Sequence, residues 1–361
     1  MVLTSSFDYD LPAQAIAQRP APTRDAARLL VVNGGGDIAH AVVADLPTLL
    51  APGDLLVVNT TRVIPARLRL RKPTGGSAEV LLVAPLRDSD GRPDVHSRDW
   101  QALVRPSRRL PPGVRLVPQA AIEPTSVAHD FVVEVGEVVD GGLRLVRLHG
   151  SADPWDMLGA VGEVPLPPYI TAAESGNTDR YQTVFADAPS SVAAPTAGLH
   201  LTDEVLARLS ASGVNRAVVE LDIGPGTFTP VTATNIEDHV MHAERYRVPD
   251  ETVEAIESTR ERGGAVVAIG TTVVRSLESW AATGQQRGDT SLFITPAYPF
   301  AVVDRLFTNF HQPRSTLLVL LEAFMGPQWR DVYATALDSG YRFLSFGDAM
   351  LVNRAAPEVA S

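Results

Sequence analysis

Between residues 62 and 150 the sequence consists of short alternating segments with little helical pattern, unlike the chain on either side. The first of these segments reads ARLRLRK, and a strand there would present Arg67, Arg69 and Arg71 on one face. Further short apolar segments follow, separated by turns rich in Gly, Pro and Asp. This spacing predicts a small all-β barrel domain over 62–150.

The flanking chain has the pattern of a mixed α/β domain. A strand is predicted for NRAVVELDIG and a helix for VPDETVEAIESTRERGG, which ends at Gly263. Two further segments, around AIGTTVVRSLES and around TNFHQPRSTLL, each give a strand, a turn and a helix in that order. We therefore expect an α/β catalytic domain made of 1–61 and 151–361, with the barrel domain inserted into it.

Composition excludes several classes of protein. The 361 residues include no cysteine, so disulfides, thiolate metal sites and a cysteine nucleophile are all excluded. The segment MVLTSSFDYDLP lacks the basic and apolar regions of a secretory signal. The longest apolar stretch is far shorter than the ~20 residues that a membrane span needs. We expect a cytoplasmic protein that does not associate with a membrane.

Charge is distributed unevenly along the chain. The net charge is −11, yet Arg62–Arg115 contains twelve basic residues against five acidic ones. Such asymmetry indicates a polyanion-binding region on an otherwise acidic protein, although a solvated basic face without a partner explains it equally well.

Four loops carry the residues best suited to bind a ligand. In α/β sheets the ligands gather at the carboxyl ends of the strands, where these loops would lie, and a strand-to-helix turn offers free backbone N–H groups to an anion. Their candidate residues are Thr196, Gly198 and His200 in SVAAPTAGLHLT, Gly224 and Gly226 in DIGPGTFTP, Gly270, Thr271 and Thr272 in AIGTTVVRSLES, and Asn309, His311 and Arg314 in TNFHQPRSTLL. Helix N-caps are predicted at Thr202 and Ser315.

The segment NIEDHVMHAERY adds His239, His242 and Glu244. Histidines at i and i+3 would share one face of a helix, so a metal site has to be considered. No HExxH pattern supports it, and acid–base work or structural pairing fits the segment better. We expect no metal. The phosphate-binding GxxxxGK[ST] loop, a GxGxxG turn and a GxSxG elbow are all missing from the sequence.

Taken in order, these segments resemble the S-adenosylmethionine:tRNA ribosyltransferase-isomerase family of queuosine biosynthesis. The resemblance runs nearly end to end and includes FDYDLPAQAIAQRP, GDLLVVNTTRVIPARL, PLPPYI, RYQTVFA, SVAAPTAGLHLT, IGPGTFTPV, HVMHAERY, AIGTTVVRSLES, TNFHQPRSTLL and YRFLSFGDAML. It implies an α/β domain with an inserted β-barrel. It also implies transfer and isomerisation of the ribosyl part of S-adenosylmethionine onto 7-aminomethyl-7-deazaguanine at the tRNA wobble position. The products are epoxyqueuosine in tRNA, adenine and methionine.

The resemblance gives the candidate residues their roles as hypotheses. A sulfonium acidifies neighbouring C–H bonds, so a base can start the reaction without a metal, and a histidine suits that exchange near neutral pH. Acid–base roles are assigned first to His200 and His311, then to His239, His242 and Glu244. Binding of S-adenosylmethionine, a cosubstrate here, is assigned to Thr196, Gly198, Gly224, Gly226, Gly270, Thr271, Thr272, Arg275, Asn309 and Asp348. Contact with tRNA is assigned to Arg62, Arg67, Arg69, Arg71, Lys72 and Arg314.

The sequence departs from the family pattern at several positions, namely Thr60, Thr171, Leu201, Asp222, Thr229 and Arg314. These departures leave two alternatives open. One is a paralogue that uses S-adenosylmethionine on a free deazapurine or nucleoside, and the other is a tRNA-binding homologue without catalysis. The expected partner is tRNA with a queuosine-type anticodon, with no obligatory protein partner.

Overall fold

The computed structural model describes residues 1–33, 36–86, 96–119, 129–139, 142–171, 177–224 and 230–355. The chain divides into two compact units. The larger unit comprises Met1–Arg62, Pro167–Ala188 and Ala194–Ser361, and the smaller unit comprises Val63–Leu166 and Pro189–Ala193.

The described strands and helices are numbered along the chain. The strands are β1 (Arg28–Val32), β2 (Ile38–Val42), β3 (Leu55–Asn59), β4 (Thr61–Val63), β5 (Arg67–Arg71), β6 (Ser77–Pro85), β7 (Asp99–Arg105), β8 (Arg115–Pro118), β9 (Val132–Val138), β10 (Arg144–His149), β11 (Gly162–Glu163), β12 (Ala188–Ser191), β13 (Asn215–Leu221), β14 (Glu244–Arg247), β15 (Val266–Ile269), β16 (Arg287–Thr290), β17 (Arg305–Asn309) and β18 (Ala349–Asn353). The α-helices are α1 (Leu46–Leu49), α2 (Pro154–Val161), α3 (Asn177–Arg180), α4 (Asp203–Ala211), α5 (Asp250–Glu261), α6 (Thr271–Thr283), α7 (Thr316–Met325) and α8 (Trp329–Asp338). Short 3₁₀ turns cover Thr4–Phe7, Ala13–Ala15, Arg24–Ala26, Val43–Asp45, Ser107–Arg109, Thr196–His200 and Ile236–Asp238.

The larger unit is built on a nine-stranded mixed sheet with the order β16-β14-β13-β3-β15-β17-β18-β1-β2. Strands β13, β3, β15 and β17 run parallel to one another, as do β18 and β1, and the other neighbouring pairs of the sheet are antiparallel. Every residue of β3 and β15 is buried. This is the pattern expected when a parallel sheet is covered on both faces, and it explains why these strands read as continuous apolar runs.

The smaller unit is a closed antiparallel barrel. Strands β5, β6, β7, β10, β9 and β8 pair in that order, and β8 returns to β5 to close it. Side chains alternate along β5, so that Leu68 and Leu70 enter the barrel core with Trp100 and Phe131. A mixed α/β fold with an inserted barrel was predicted, and the structure confirms that fold class.

The structure places the end of the inserted unit later than residue 150. Helix α2 buries Met157, Leu158 and Val161 in the barrel core, and β11 pairs with β5. The segment Pro189–Ala193 belongs to this unit as well. The sequence limit of 150 was set by the last predicted strand, whereas packing of the following helix extends the unit to Leu166.

Both predicted N-caps are present. The Thr202 hydroxyl accepts a hydrogen bond from the Val205 N–H, and the Ser315 hydroxyl accepts one from the Leu318 N–H. The caps fix where α4 and α7 begin, directly after the loops that carry His200 and His311. None of the helices within the described ranges combines the length and apolarity needed to cross a membrane.

Candidate active site

Three of the predicted loops meet at the carboxyl ends of the neighbouring parallel strands β15 and β17. Gly270, directly after β15, donates its N–H to the Phe307 carbonyl of β17 over 2.8 Å. Its φ of +94° favours glycine, and a Cβ there would lie 3.5 Å from the Cβ of Ala197 in the 3₁₀ turn Thr196–His200. The turn therefore lies against the start of α6, as expected for a ligand crevice in an α/β sheet.

His200 and Asn309 form the polar centre of this region. Both side chains are buried, and the Asn309 Nδ2 donates to His200 Nε2 over 3.0 Å and to the Leu344 carbonyl over 3.1 Å. A carbonyl only accepts, so the second bond fixes the orientation of the amide. His200 Nε2 is then the acceptor, and the neutral ring carries its proton on Nδ1.

Burial makes both central histidines weak bases. The pKa of His200 is lowered to about 3, mainly by burial and further by the positive charges of Arg342 and Arg24. Burial alone lowers the pKa of His311 to about 3. His311 Nε2 lies 3.2 Å from the Thr308 hydroxyl, and its backbone N–H donates to the Tyr333 hydroxyl over 2.9 Å. Both rings are neutral at pH 7, a state suited to donating a hydrogen bond.

Several buried polar atoms around this centre have no hydrogen-bond partner within the described part of the chain. They include the Oδ1 of Asn309 and the hydroxyls of Thr272 and Thr183. Each unsatisfied buried group costs about 1–3 kcal/mol, so such a group calls for an explanation such as a bound substrate. Leu344, whose carbonyl accepts from Asn309, adopts a left-handed φ of +70°. Backbone strain of this kind clusters at functional sites.

The N-terminus of α6 lies in the same region. Gly270 precedes the helix without a side-chain cap, and the following Thr271 and Thr272 are both buried. No acceptor for their backbone N–H groups is recorded among the residues that the structure describes. A helix start with free N–H groups carries partial positive charge and favours an anionic group.

Glu244 and Arg275 are occupied by contacts within the fold. They form a buried ion pair, and Glu244 Oε1 also accepts the Gly224 N–H over 3.1 Å. Arg275 donates further to the carbonyls of Leu292 and Thr290. The pair ties the sheet edge at β14 and β16 to α6, so the structure gives both residues a bracing role.

The helix that would place His239 and His242 on one face is not formed. Only Ile236–Asp238 forms a 3₁₀ turn, and the two histidines lie in irregular chain before β14. His239 packs edge-on against Phe293, and its pKa is lowered by partial burial and by His242, which is exposed. Within the described ranges, no group of three or more His, Asp or Glu side chains is arranged to hold a metal ion.

The remaining cosubstrate candidates differ in their surroundings. The Asp348 carboxylate accepts the backbone N–H groups of Arg28 and Arg342 over 3.0 and 2.8 Å, which anchors the start of β18. Gly198 is buried against Phe185, whereas Thr196 is half-buried. Gly224 is half-buried with open space beside its Cα, and Gly226 lies outside the described residues.

Most of the arginines assigned to tRNA have protein partners. Arg67 pairs with Glu79 at 2.7 Å, Arg69 pairs with Glu163 at 2.9 Å, and Arg314 pairs with Asp8. Arg62 is exposed and donates to the Ala186 carbonyl. Arg71 is exposed and Lys72 half-buried.

The sequence argument missed two arginines beside His200. A solvent-open cleft of about 250 Å³ is lined by Pro20, Arg24, Arg180, Leu199, His200 and Phe346. Arg180 is the first residue of the RYQTVFA motif, so this motif could have pointed to it. Arg24 belongs to no segment that stood out, because it reaches the cleft only through the folding of the N-terminal chain against the turn at His200.

The comparisons with known proteins agree with this fold. The family model for the queuosine biosynthesis protein matches residues 4–352. An S-adenosylmethionine:tRNA ribosyltransferase-isomerase of Thermus thermophilus is 49% identical and aligns over 96% of this chain and 98% of its own length. Its namesake in Gloeobacter violaceus is 47% identical, over 97% and 96% respectively. The crystal structure of the Thermotoga maritima S-adenosylmethionine tRNA ribosyltransferase is similar with a TM-score of 0.53 and 36% identity, covering 96% of this chain and all of that one. This chain belongs to the queuosine biosynthesis protein family.

Proposed function

We propose that this chain transfers and isomerises the ribosyl part of S-adenosylmethionine onto 7-aminomethyl-7-deazaguanine at the tRNA wobble position, giving epoxyqueuosine-tRNA with release of adenine and methionine. The observation that carries the proposal is the meeting of the turn at His200, the start of α6 and the end of β17 around buried polar atoms without partners. The names of the relatives support the same reaction. The reaction takes place in the cytoplasm and uses no metal.

The start of α6 is the place for the methionine end of S-adenosylmethionine. The N–H groups of Thr271 and Thr272 take the carboxylate, and the Thr272 hydroxyl gains the partner that it lacks. The Asn309 Oδ1, a buried acceptor without a donor, takes an N–H or O–H group of the nucleoside.

His200 acts as a neutral hydrogen-bond donor in this proposal. With Nε2 accepting from Asn309, its Nδ1–H is directed away from that bond and is free to stabilise the negative charge that develops on departing adenine. A base of such low pKa is poorly matched to removing a proton from carbon. Asn309 is then the residue that positions the ring and fixes its tautomer.

Adenine release tests the proposal directly. The enzyme is incubated with S-adenosylmethionine and tRNA carrying the aminomethyl-deazaguanine, and free adenine is measured over time. Release that requires this tRNA supports the proposal, whereas release with a free deazapurine or nucleoside identifies a different acceptor. Binding of the tRNA without release identifies a non-catalytic homologue.

The role of His200 is tested in the same assay. We expect His200→Ala to reduce the rate of adenine release by about 10²–10³-fold, because one donor to the developing charge is lost. His129, which is exposed in the smaller unit, provides the control His129→Ala with a wild-type rate. Wild-type adenine release by His200→Ala contradicts the assignment.

A further inference from the structure

We infer that Arg24 and Arg180 form a subsite for a backbone phosphate of the tRNA substrate, beside His200 in the cleft of about 250 Å³. The inference rests on the proposed function and adds to it the part of the substrate that this cleft receives. Neither arginine stands among the residues assigned to tRNA from the sequence.

Backbone carbonyls hold the two guanidinium groups in place. Arg24 Nη1 donates to the Leu199 carbonyl over 2.9 Å and to the Arg180 carbonyl over 3.4 Å. Arg180 donates through Nη1 to the Pro22 carbonyl and through Nη2 to the Ala21 carbonyl, over 3.3 and 3.0 Å. These bonds use only some of the five N–H groups that each arginine carries. The fork of each side chain is thus positioned before any ligand arrives.

The charges of the pair are not neutralised by the protein. Within the described residues, no carboxylate is recorded as an ion-pair partner of Arg24 or Arg180, whereas Arg67, Arg69 and Arg314 each have one. Burial and the neighbouring Arg180 lower the pKa of Arg24, as expected when two like charges lie close together. An anion between them removes this repulsion and gains charge-assisted hydrogen bonds.

The size of the cleft favours a phosphate of the nucleic acid over a whole small molecule. The cleft is open to solvent and encloses space for little more than a water-sized group, so it cannot take in a whole small molecule. Its open mouth can receive an oxygen atom of one protruding anionic group. The acceptor nucleotide has to approach the region of His200, so its backbone phosphate passes the rim where Arg24 and Arg180 lie. Arginine forks match phosphate oxygens in pairs.

Salt dependence of tRNA binding tests the inference. The dissociation constant for the modified tRNA is measured without S-adenosylmethionine over a series of salt concentrations. For Arg24→Gln/Arg180→Gln we expect binding weakened about tenfold at low salt and the slope of log K against log[salt] reduced by about 1, as for the loss of one phosphate contact. The affinity for S-adenosylmethionine is expected to stay unchanged.

Two further variants separate charge from structural bracing. Arg24→Lys/Arg180→Lys keeps both charges and is expected to retain the wild-type salt slope even though the carbonyl bonds change. Arg208 on α4 is exposed and donates to the Ala44 carbonyl, so Arg208→Gln is a matched control for loss of a carbonyl-bound arginine outside the cleft. Thermal unfolding of each variant shows that the slope is measured on folded protein.

Three results would overturn the inference. An unchanged salt slope in the Gln double variant means that the two arginines only brace the chain. Weakened binding of S-adenosylmethionine with unchanged tRNA binding means that the anion is the methionine carboxylate. An equal loss of slope in the Lys double variant means that the salt dependence of tRNA binding depends on the bonds to carbonyls and not on the two charges. If the wild-type enzyme fails to release adenine, the proposed reaction is overturned instead. The salt dependence of tRNA binding still tests the phosphate subsite in that case.

Discussion

At the scale of single residues, the small side chains before His200 serve two different purposes. Ala197 packs against Gly270, whose φ of +94° favours glycine at the start of α6, whereas the space beside Gly198 is filled by the protein itself. A Cβ on Gly198 would lie 2.8 Å from Phe185 Cζ and 3.0 Å from Thr183 Cγ2. Leu201, one of the departures from the family pattern, is also surrounded by the protein itself, because it is fully buried in the core of the larger unit. That departure therefore changes packing rather than a group that faces substrate.

Gly198→Ala is expected to lower the free energy of unfolding by about 1–3 kcal/mol, because Phe185 or the turn has to shift. Gly159 in the interior of α2 has nothing within 4 Å of its would-be Cβ. Gly159→Ala is therefore the matched control, expected to stabilise the protein by about 0.4–1 kcal/mol through the unfolded chain. Urea denaturation measures both, and a Gly198→Ala midpoint at or above that of wild type would show that the contact with Phe185 relaxes without cost.

At the scale of secondary-structure elements, the N-terminus of α6 is the feature most open to test. Its 13 residues aim a helix dipole at the region of His200, and the Thr272 hydroxyl there lacks a partner among the described residues. Thr259, on α5, also has a buried hydroxyl without a partner in the described ranges, but it lies outside the candidate active site. The two threonines thus form a natural pair for separating ligand binding from stability.

We expect Thr272→Val to weaken binding of S-adenosylmethionine about 5–10-fold, since one neutral hydrogen bond contributes on the order of 1 kcal/mol. Thr259→Val is expected to leave this affinity unchanged. Both substitutions remove an unsatisfied buried hydroxyl, so neither is expected to lower the melting temperature in the absence of ligand. Titration calorimetry and thermal unfolding supply the two readouts. Equal affinities of the two variants would rule out a contact between Thr272 and the cosubstrate.

The elements with strong apolar periodicity were predictable from the sequence, and the partners of exposed side chains were not. Strands β13, β15 and β17, helix α6 and the caps at Thr202 and Ser315 follow the predicted pattern. The pattern of β5 correctly placed its arginines on one face, but Glu79 and Glu163 come from other strands. Such pairing depends on the register between strands. The sequence of β5 alone therefore suggests more unpaired positive charge than the folded barrel has.

At the scale of the whole molecule, the candidate site depends on contacts between distant parts of the chain. Asn309 reaches His200 across 109 positions, and Arg24 reaches the Arg180 carbonyl across 156. The sheet order brings β15 beside β17 although a helix and β16 lie between them in the sequence. Strand-end loops could therefore be predicted to share one edge, but which of their side chains meet was decided by tertiary packing.

The same burial that tunes the site makes the stability of the protein depend on pH. His200 and His311 have a folded-state pKa of about 3, against an ordinary value near 6.5. Between these values the unfolded chain binds more protons than the folded one, so stability is greatest above pH 6.5 and falls as the pH is lowered. Each histidine is expected to contribute a loss on the order of 1 kcal/mol per pH unit within this window.

Urea unfolding at several pH values between about 4.5 and 7 measures this dependence, above the range in which most carboxylates titrate. His200→Gln/His311→Gln is expected to be less stable at pH 7, because hydrogen bonds to Asn309 and Thr308 are altered, yet to show a flatter dependence on pH. His129→Gln, at an exposed position, is expected to keep the wild-type slope. A double variant as acid-sensitive as wild type would mean that these two histidines take up protons without unfolding. Burial of the two rings would then not be complete enough to hold them neutral.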